Sequence, residues 1–130
     1  MAELSENDLA KIAVDCAYKI YMAYGPGLLE SAYSLMLVHD LRKHGLEVER
    51  ECCFPLVHNG EQIDHALRAD IVVNRKLIIE VKAIEELAKV HKKQLLTYLV
   101  ISGIKLGLLV NFGGASFKGN VERIVNGLEE

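Results

Sequence analysis

The hydrophobic pattern changes period along the chain, and each change marks an element. Between Ser5 and Ala23, apolar residues recur every three to four positions, with Leu9, Ile12, Ala13, Cys16, Ile20 and Ala23 on one stripe. That spacing predicts an amphipathic helix. Ser5, followed three residues later by Asp8, resembles a capping box, and Gly25-Pro26-Gly27 ends the helix. A second helical pattern runs from about Leu28 to His44 and stops at Gly45. From Leu46 the period becomes two. Residues 46–57 predict a strand, residues 58–61 (HNGE) a tight turn, and residues 62–73 an antiparallel partner. The tripeptide Asn74-Arg75-Lys76 turns the chain into a third strand over 77–84. A third helix is predicted from Glu85 to Ser102, with Leu87, His91, Gln94, Leu95, Tyr98 and Ile101 along one stripe. Residues 104–112 are apolar enough for a strand buried on both faces, and residues 116–125 leave a fifth strand open. The order predicts an α/β fold, a mixed central sheet of four to five strands flanked by helices. The crossover through the third helix should be right-handed, setting the fourth strand parallel to the third.

Four polar residues break these patterns. Asp70 lies inside an alternating strand. Glu80 and Lys82 sit two apart, hence on one face of the third strand. Gln94 interrupts the apolar stripe of the third helix. A buried charge is costly unless it is paired, hydrogen-bonded or bound to a metal. Opposed residues of an antiparallel pair share a face, so the turn decides whether Asp70 and Glu80 meet. A two-residue turn at Asn74-Arg75 sets Asp70 opposite Ile79 and turns Glu80 away. A three-residue turn, Asn74-Arg75-Lys76, sets Asp70 opposite Glu80. Both turns are chemically plausible, and a site at these residues requires the longer one or an equivalent bulge. Two adjacent carboxylates repel and share a proton unless a divalent cation neutralises them. Oxygen ligands of this kind suit Mg²⁺ or Mn²⁺. Lys82 could then orient or help deprotonate a water and stabilise charge on a phosphate. Glu30, on an apolar helix face, could add a ligand, and Gln94 could hold the water or orient Lys82.

Composition narrows the setting. The 130 residues suffice for one domain, 1–130, with its own core. The chain is 51% hydrophobic and 25% charged, with 15 Lys and Arg against 18 Asp and Glu, a net charge of −3. A bulk nucleic-acid coater would be basic, so any nucleic-acid contact must rest on a local patch. Three cysteines, Cys16, Cys52 and Cys53, make no even disulfide framework and suit a reducing compartment. The acidic N-terminal stretch is unlike a signal peptide, and no apolar run reaches the roughly 18–20 residues of a membrane span. A cytoplasmic protein without a membrane partner is the expectation.

Asp70 followed by Glu80-Val81-Lys82, with a helical glutamate upstream, resembles the PD-(D/E)xK nuclease superfamily; Ala69 stands where the superfamily's name has proline. Gln94-Leu95-Leu96-Thr97-Tyr98 is similar to the Q-x-x-x-Y element of its RecB-like branch. Gly27-Leu28-Leu29-Glu30-Ser31-Ala32-Tyr33 resembles the motif that names the small bacterial G-x-x-E-x-x-Y family of the same superfamily. The likeness runs from about Asp8 to Ile124. It implies a restriction-endonuclease-like core and a metal-dependent nuclease, with DNA as the expected substrate. Asp70, Glu80 and Lys82 would be catalytic, Glu30 an auxiliary carboxylate, and Asp70, Glu80, the Val81 carbonyl and Glu30 the metal shell.

Blander readings stand beside these. An acidic residue in a first turn favours the helix dipole, for about 0.3–1 kcal/mol, which alone accounts for Glu30. Asp70, Glu80 and Lys82 could be a structural ion-pair cluster. Arg68, Tyr33 and Tyr98 are candidate nucleic-acid contacts. Lys89, Lys92 and Lys93 are either a solvated helix face or the basic patch that offsets the net charge. His91 reads as a boundary histidine. Cys52-Cys53 with His58 has no standard zinc spacing and reads as packing. The alternative to an enzyme is a catalytically inactive module of the same fold that binds nucleic acid or protein. In either case so small a chain is expected to work as a homodimer or with a larger partner. Tyr18, Tyr21 and Tyr24 are candidates for that interface or for the core.

Overall fold

In the computed structural model, residues 3–129 are described. Helix α1 spans Glu6–Tyr24 and α2 spans Glu30–Lys43; β1 (Val48–His58), β2 (Glu61–Val73) and β3 (Leu77–Lys82) follow, then α3 (Lys89–Ser102), β4 (Leu106–Asn111) and β5 (Val121–Val125). The capping box expected at Ser5 forms: Asp8 N–H donates to Ser5 Oγ at 3.2 Å and Ser5 N–H to Asp8 Oδ2 at 2.9 Å. Gly25 ends α1 with φ 65°, and its N–H reaches the Tyr21 carbonyl. That φ combined with ψ −171° is open essentially only to glycine.

The five strands lie in the order β1-β2-β3-β4-β5. All neighbours are antiparallel except β3 and β4, which run parallel across the α3 crossover as expected. Helices cover both faces. Leu9, Ala13, Ile20, Leu37 and Leu41 of α1 and α2 pack on Ile71, Val73, Ile79, Val81, Leu108 and Val110. Leu95 and Leu99 of α3 pack on Ala69, Val72, Ile78 and Leu109 of the other face. Gly107 lets α3 approach β4, since a Cβ there would stand 2.9 Å from a Leu95 methyl.

Two expectations are corrected. Helix α3 begins at Lys89 and not at Glu85, because residues 83–88 leave β3 as a loop. Asn111, fully buried, holds that loop: its Oδ1 accepts from Ile84 N–H at 3.0 Å and its Nδ2 donates to Ile84 O at 2.8 Å. The stripe of α1 turns inward through Ala10 and Ala17 and leaves Ala23 exposed. Of the α1 tyrosines, Tyr18 and Tyr24 are about half exposed or more, whereas Tyr21 donates to Gly114 O at 2.9 Å. No described helix is long and apolar enough to cross a membrane.

Candidate active site

The three-residue turn is the one that forms. Asn74 and Arg75 take φ of 51° and 55°, Lys76 N–H closes on Val73 O at 2.9 Å, and Val73 pairs with Leu77. The β2–β3 register then runs through Val72 with Ile78 and Ile71 with Ile79. Beyond that point side chains take over the ladder. Asp70 N–H donates to Glu80 Oε2 at 2.7 Å, and Val81 N–H donates to Asp70 Oδ2 at 2.8 Å. Each carboxylate substitutes for a strand carbonyl, and each keeps its second oxygen for another partner.

The strand also turns over here. Ile71 and Val73 belong to the core under α1 and α2, whereas Ala69 packs with α3. Residues two apart on a regular strand share a face, so alternation fails at Asp70. Strand β1 does the same: Val48 lies under α2, Cys52 under α3, and Glu51 between them has φ 54°. With Arg50 paired to Ile71 and Cys52 to Ala69, Glu51 and Asp70 face each other at the irregular step.

Electrostatics mark the same pair. Burial, then the neighbouring Asp70 charge, push Glu80 up to about 8, while a backbone hydrogen bond and Lys82 oppose the rise. Asp70 is raised by burial against the pull of the Val81 N–H, Lys82 and Arg68. The negative charge of Glu30 adds to the rise at Glu80. Glu30 is the first residue of α2 and shares with Asp70 a cleft of about 400 Å³, lined also by Ser31, Ser34, Arg50, Glu51 and Arg68. Glu30 thus lies on the Asp70 side of the sheet. Among the described residues, however, no three acidic, cysteine or histidine side chains gather closely enough to hold a metal ion together. Lys82 is half-buried and acts on both acids through its charge, with no direct ion pair among the described residues.

From the α3 side Tyr98 faces the acids. Burial, then the charges of Glu80 and Asp70, raise its pKa, and the adjacent Gln94 side chain pulls it down. Gln94 itself is exposed. His91 accepts the Ala88 N–H at 3.0 Å and so caps α3. Lys92 leans away to Glu122 on β5 at 3.3 Å, while Lys89 and Lys93 are exposed. Tyr33, expected among the nucleic-acid contacts, is fully buried instead. Its hydroxyl donates to Gly25 O and accepts the N–H groups of Gly27 and Leu28 at 3.1 Å, and its ring stacks on Phe112 at 4.4 Å. It organises the 25–28 turn that launches α2 and has no surface to offer a ligand. Sequence patterning missed Arg50 and Glu51, because an ordinary strand would not carry both toward one cleft. A larger groove of about 890 Å³ between α1 and the β4–β5 edge contains none of the expected site residues.

A mixed five-strand sheet flanked by helices, with an aspartate on β2 meeting Glu-x-Lys on β3 where those strands part, is a restriction-endonuclease-like α/β arrangement. The sequence matches the PD-(D/E)XK nuclease superfamily over residues 7–124, and the chain belongs to it. The fold is also similar to the crystal structure of SSO0001, with a TM-score of 0.54 and 22% identity, over 99% of this chain and 71% of that one. No curated protein matches the chain.

Proposed function

We propose that this protein is a divalent-cation-dependent phosphodiester hydrolase acting on nucleic acid, DNA foremost. The observation that carries the reading is the reciprocal Asp70–Glu80 pair at the opening of β2 and β3, with Lys82 two residues along the same strand. The donor set fits a hard divalent cation: two carboxylates with an oxygen each to spare, and the main-chain carbonyl of Val81. It fits electrostatically as well, since burial and mutual repulsion make the metal-free pair retain a proton that a cation could replace.

Mg²⁺ or Mn²⁺ bound there would supply a Lewis acid at the phosphoryl oxygen and lower the pKa of a coordinated water. Asp70, Glu80 and the Val81 carbonyl would hold the ion, with Glu30 as an auxiliary carboxylate in the same cleft. Lys82 orients the attacking water and stabilises the negative charge that grows on the phosphate. Gln94, beside Tyr98, holds that water or fixes Lys82. In-line attack of the water oxygen on phosphorus would break the P–O3′ bond, and protonation of the departing O3′ would leave a 5′-phosphate and a 3′-hydroxyl. So small a chain grips little duplex alone, so a second copy or a larger partner belongs to the proposal.

Mn²⁺ titration calorimetry into the millimolar range, on wild type, Asp70→Asn and Lys82→Ala, tests the reading. Binding that vanishes in Asp70→Asn and survives in Lys82→Ala supports it. Absent binding in wild type, or equal binding in all three, favours the inactive module.

A further inference from the structure

The cleft beside Asp70 contains cations that the hydrolytic reading leaves idle. Arg50 of β1 and Arg68 of β2 line it together with the hydroxyls of Ser31 and Ser34. The Arg50 Nε is buried and has no hydrogen-bond partner. Its guanidinium meets one acid, Glu51, through a terminal nitrogen at 3.6 Å, long for a charge-assisted hydrogen bond. A desolvated guanidinium donor without an acceptor is unfavourable, and an acceptor brought into the cleft would relieve that cost. The arginine fork matches a phosphate or carboxylate geometrically. The first turn of α2, Glu30 and Ser31, borders the same space without a side-chain cap, and its free N–H groups add positive potential.

We propose that Arg50 and Arg68 form a subsite for a backbone phosphate of the nucleic-acid strand next to the phosphate held at Asp70 and Glu80. The inference rests on the hydrolase reading and deepens it by assigning the path of the strand, along the cleft between α2 and the β1–β2 turnover. The acids in the cleft do not oppose this, because Asp70 and Glu30 would be engaged with the cation when substrate is bound, and Glu51 is partly offset by the Arg50 guanidinium at 3.6 Å. Arg50 and Arg68 are binding residues here, not groups that touch the reacting atoms.

Fluorescence anisotropy with a labelled single-stranded oligodeoxynucleotide tests the subsite, with Mg²⁺ present and every protein in a Lys82→Ala background so that the strand stays intact. Arg50→Met and Arg68→Ala should each weaken binding about tenfold or more, as expected for loss of a charge-assisted hydrogen bond. Each should also flatten the slope of log affinity against log salt by about one contact. Arg50→Lys should restore little, because an ammonium lacks the fork. Thermal melts separate binding from folding: Arg50→Met removes an unpartnered donor, so its Tm should not fall. Unchanged oligonucleotide affinity in both arginine variants overturns the subsite. Full competition by a nucleoside 5′-monophosphate at the same affinity also overturns it, in favour of a small phosphoryl ligand. Cleavage assays on single arginine variants of the wild-type background keep the two failures apart. Metal-dependent cleavage with unimpaired binding in both arginine variants refutes the subsite alone, whereas no cleavage by wild type refutes the hydrolase reading.

Discussion

Asp70 and Glu80 each serve two purposes, and the purposes conflict. As ladder acceptors they hold β2 against β3; as buried anions they strain it. The sign of the pH effect follows from Glu80, raised from 4.5 to about 8 in the folded chain. Between those values the native state binds more protons than the unfolded one, so stability falls as pH rises. The span is on the order of a few kcal/mol. Urea unfolding of metal-free protein should show stability declining from pH 5 to pH 9 (both values are roughly chosen to bracket the transition). Glu80→Gln should remove most of that decline. Tyr33→Phe should cost about 1–3 kcal/mol, since two glycine-turn N–H groups lose their acceptor, measured as a shift of the denaturation midpoint. At this scale the sequence was partly readable. Asp70, Glu80 and Lys82 stood out as polar residues in apolar strands, and the structure joins the first two directly. Tyr33 did not stand out as structural, because its partners are three backbone groups of the 25–28 turn, and nothing in a residue type announces those.

The decisive element is the turn at 74–76. Its length sets the register, and a change of one residue sends every following side chain to the opposite face. Deleting Lys76 should therefore misalign Glu80 with Asp70 and abolish Mn²⁺ binding, with calorimetry as the readout. The chain folds the longer turn through two left-handed residues, Asn74 and Arg75. Asparagine signals such a conformation; arginine does not, which is why sequence left both turns open. Helix α3 makes a second case. Its apolar stripe ran too far back because Leu87 continues the period, while the real start is fixed by the His91 ring. The turnover of β1 and β2 at Glu51 and Asp70 was illegible for a similar reason. Period-two reasoning assumes that the strand never rotates, and Glu51 carries no residue-level sign of its positive φ. Where packing alone sets the element, as at Gly107 under Leu95, Gly107→Ala should cost about 1–3 kcal/mol from overpacking, seen as a lower Tm.

Across the whole molecule, sequence order and spatial order coincide: β1 to β5 follow one another across the sheet. That made the architecture legible, since each strand pairs with the next in the chain and one crossover suffices. The candidate site sits between the two cores, with α2 on one side of the sheet and α3 on the other. A cation held at Asp70 and Glu80, as proposed, would couple to the stability of the native state. Saturating Mg²⁺ or Mn²⁺ should raise Tm in wild type, by the mass-action gain of a ligand that prefers the folded chain. The gain should shrink as pH falls below 8, where a proton competes at Glu80, and disappear in Asp70→Asn. Differential scanning calorimetry across pH measures all three.

The reciprocal bonds of Asp70 and Glu80 bear also on how such a chain can change over generations. Asparagine and glutamine keep a carbonyl oxygen where the acid had one, so either could still accept the opposing N–H. Each amide lies one nucleotide substitution from its acid in the genetic code. A single base change could thus silence the chemistry while leaving the scaffold intact or even sturdier, and no folding defect would expose the carrier to clearance. Under the proposed reading, enzyme and inert scaffold are therefore immediate mutational neighbours for this chain, and the charge state of two positions separates them.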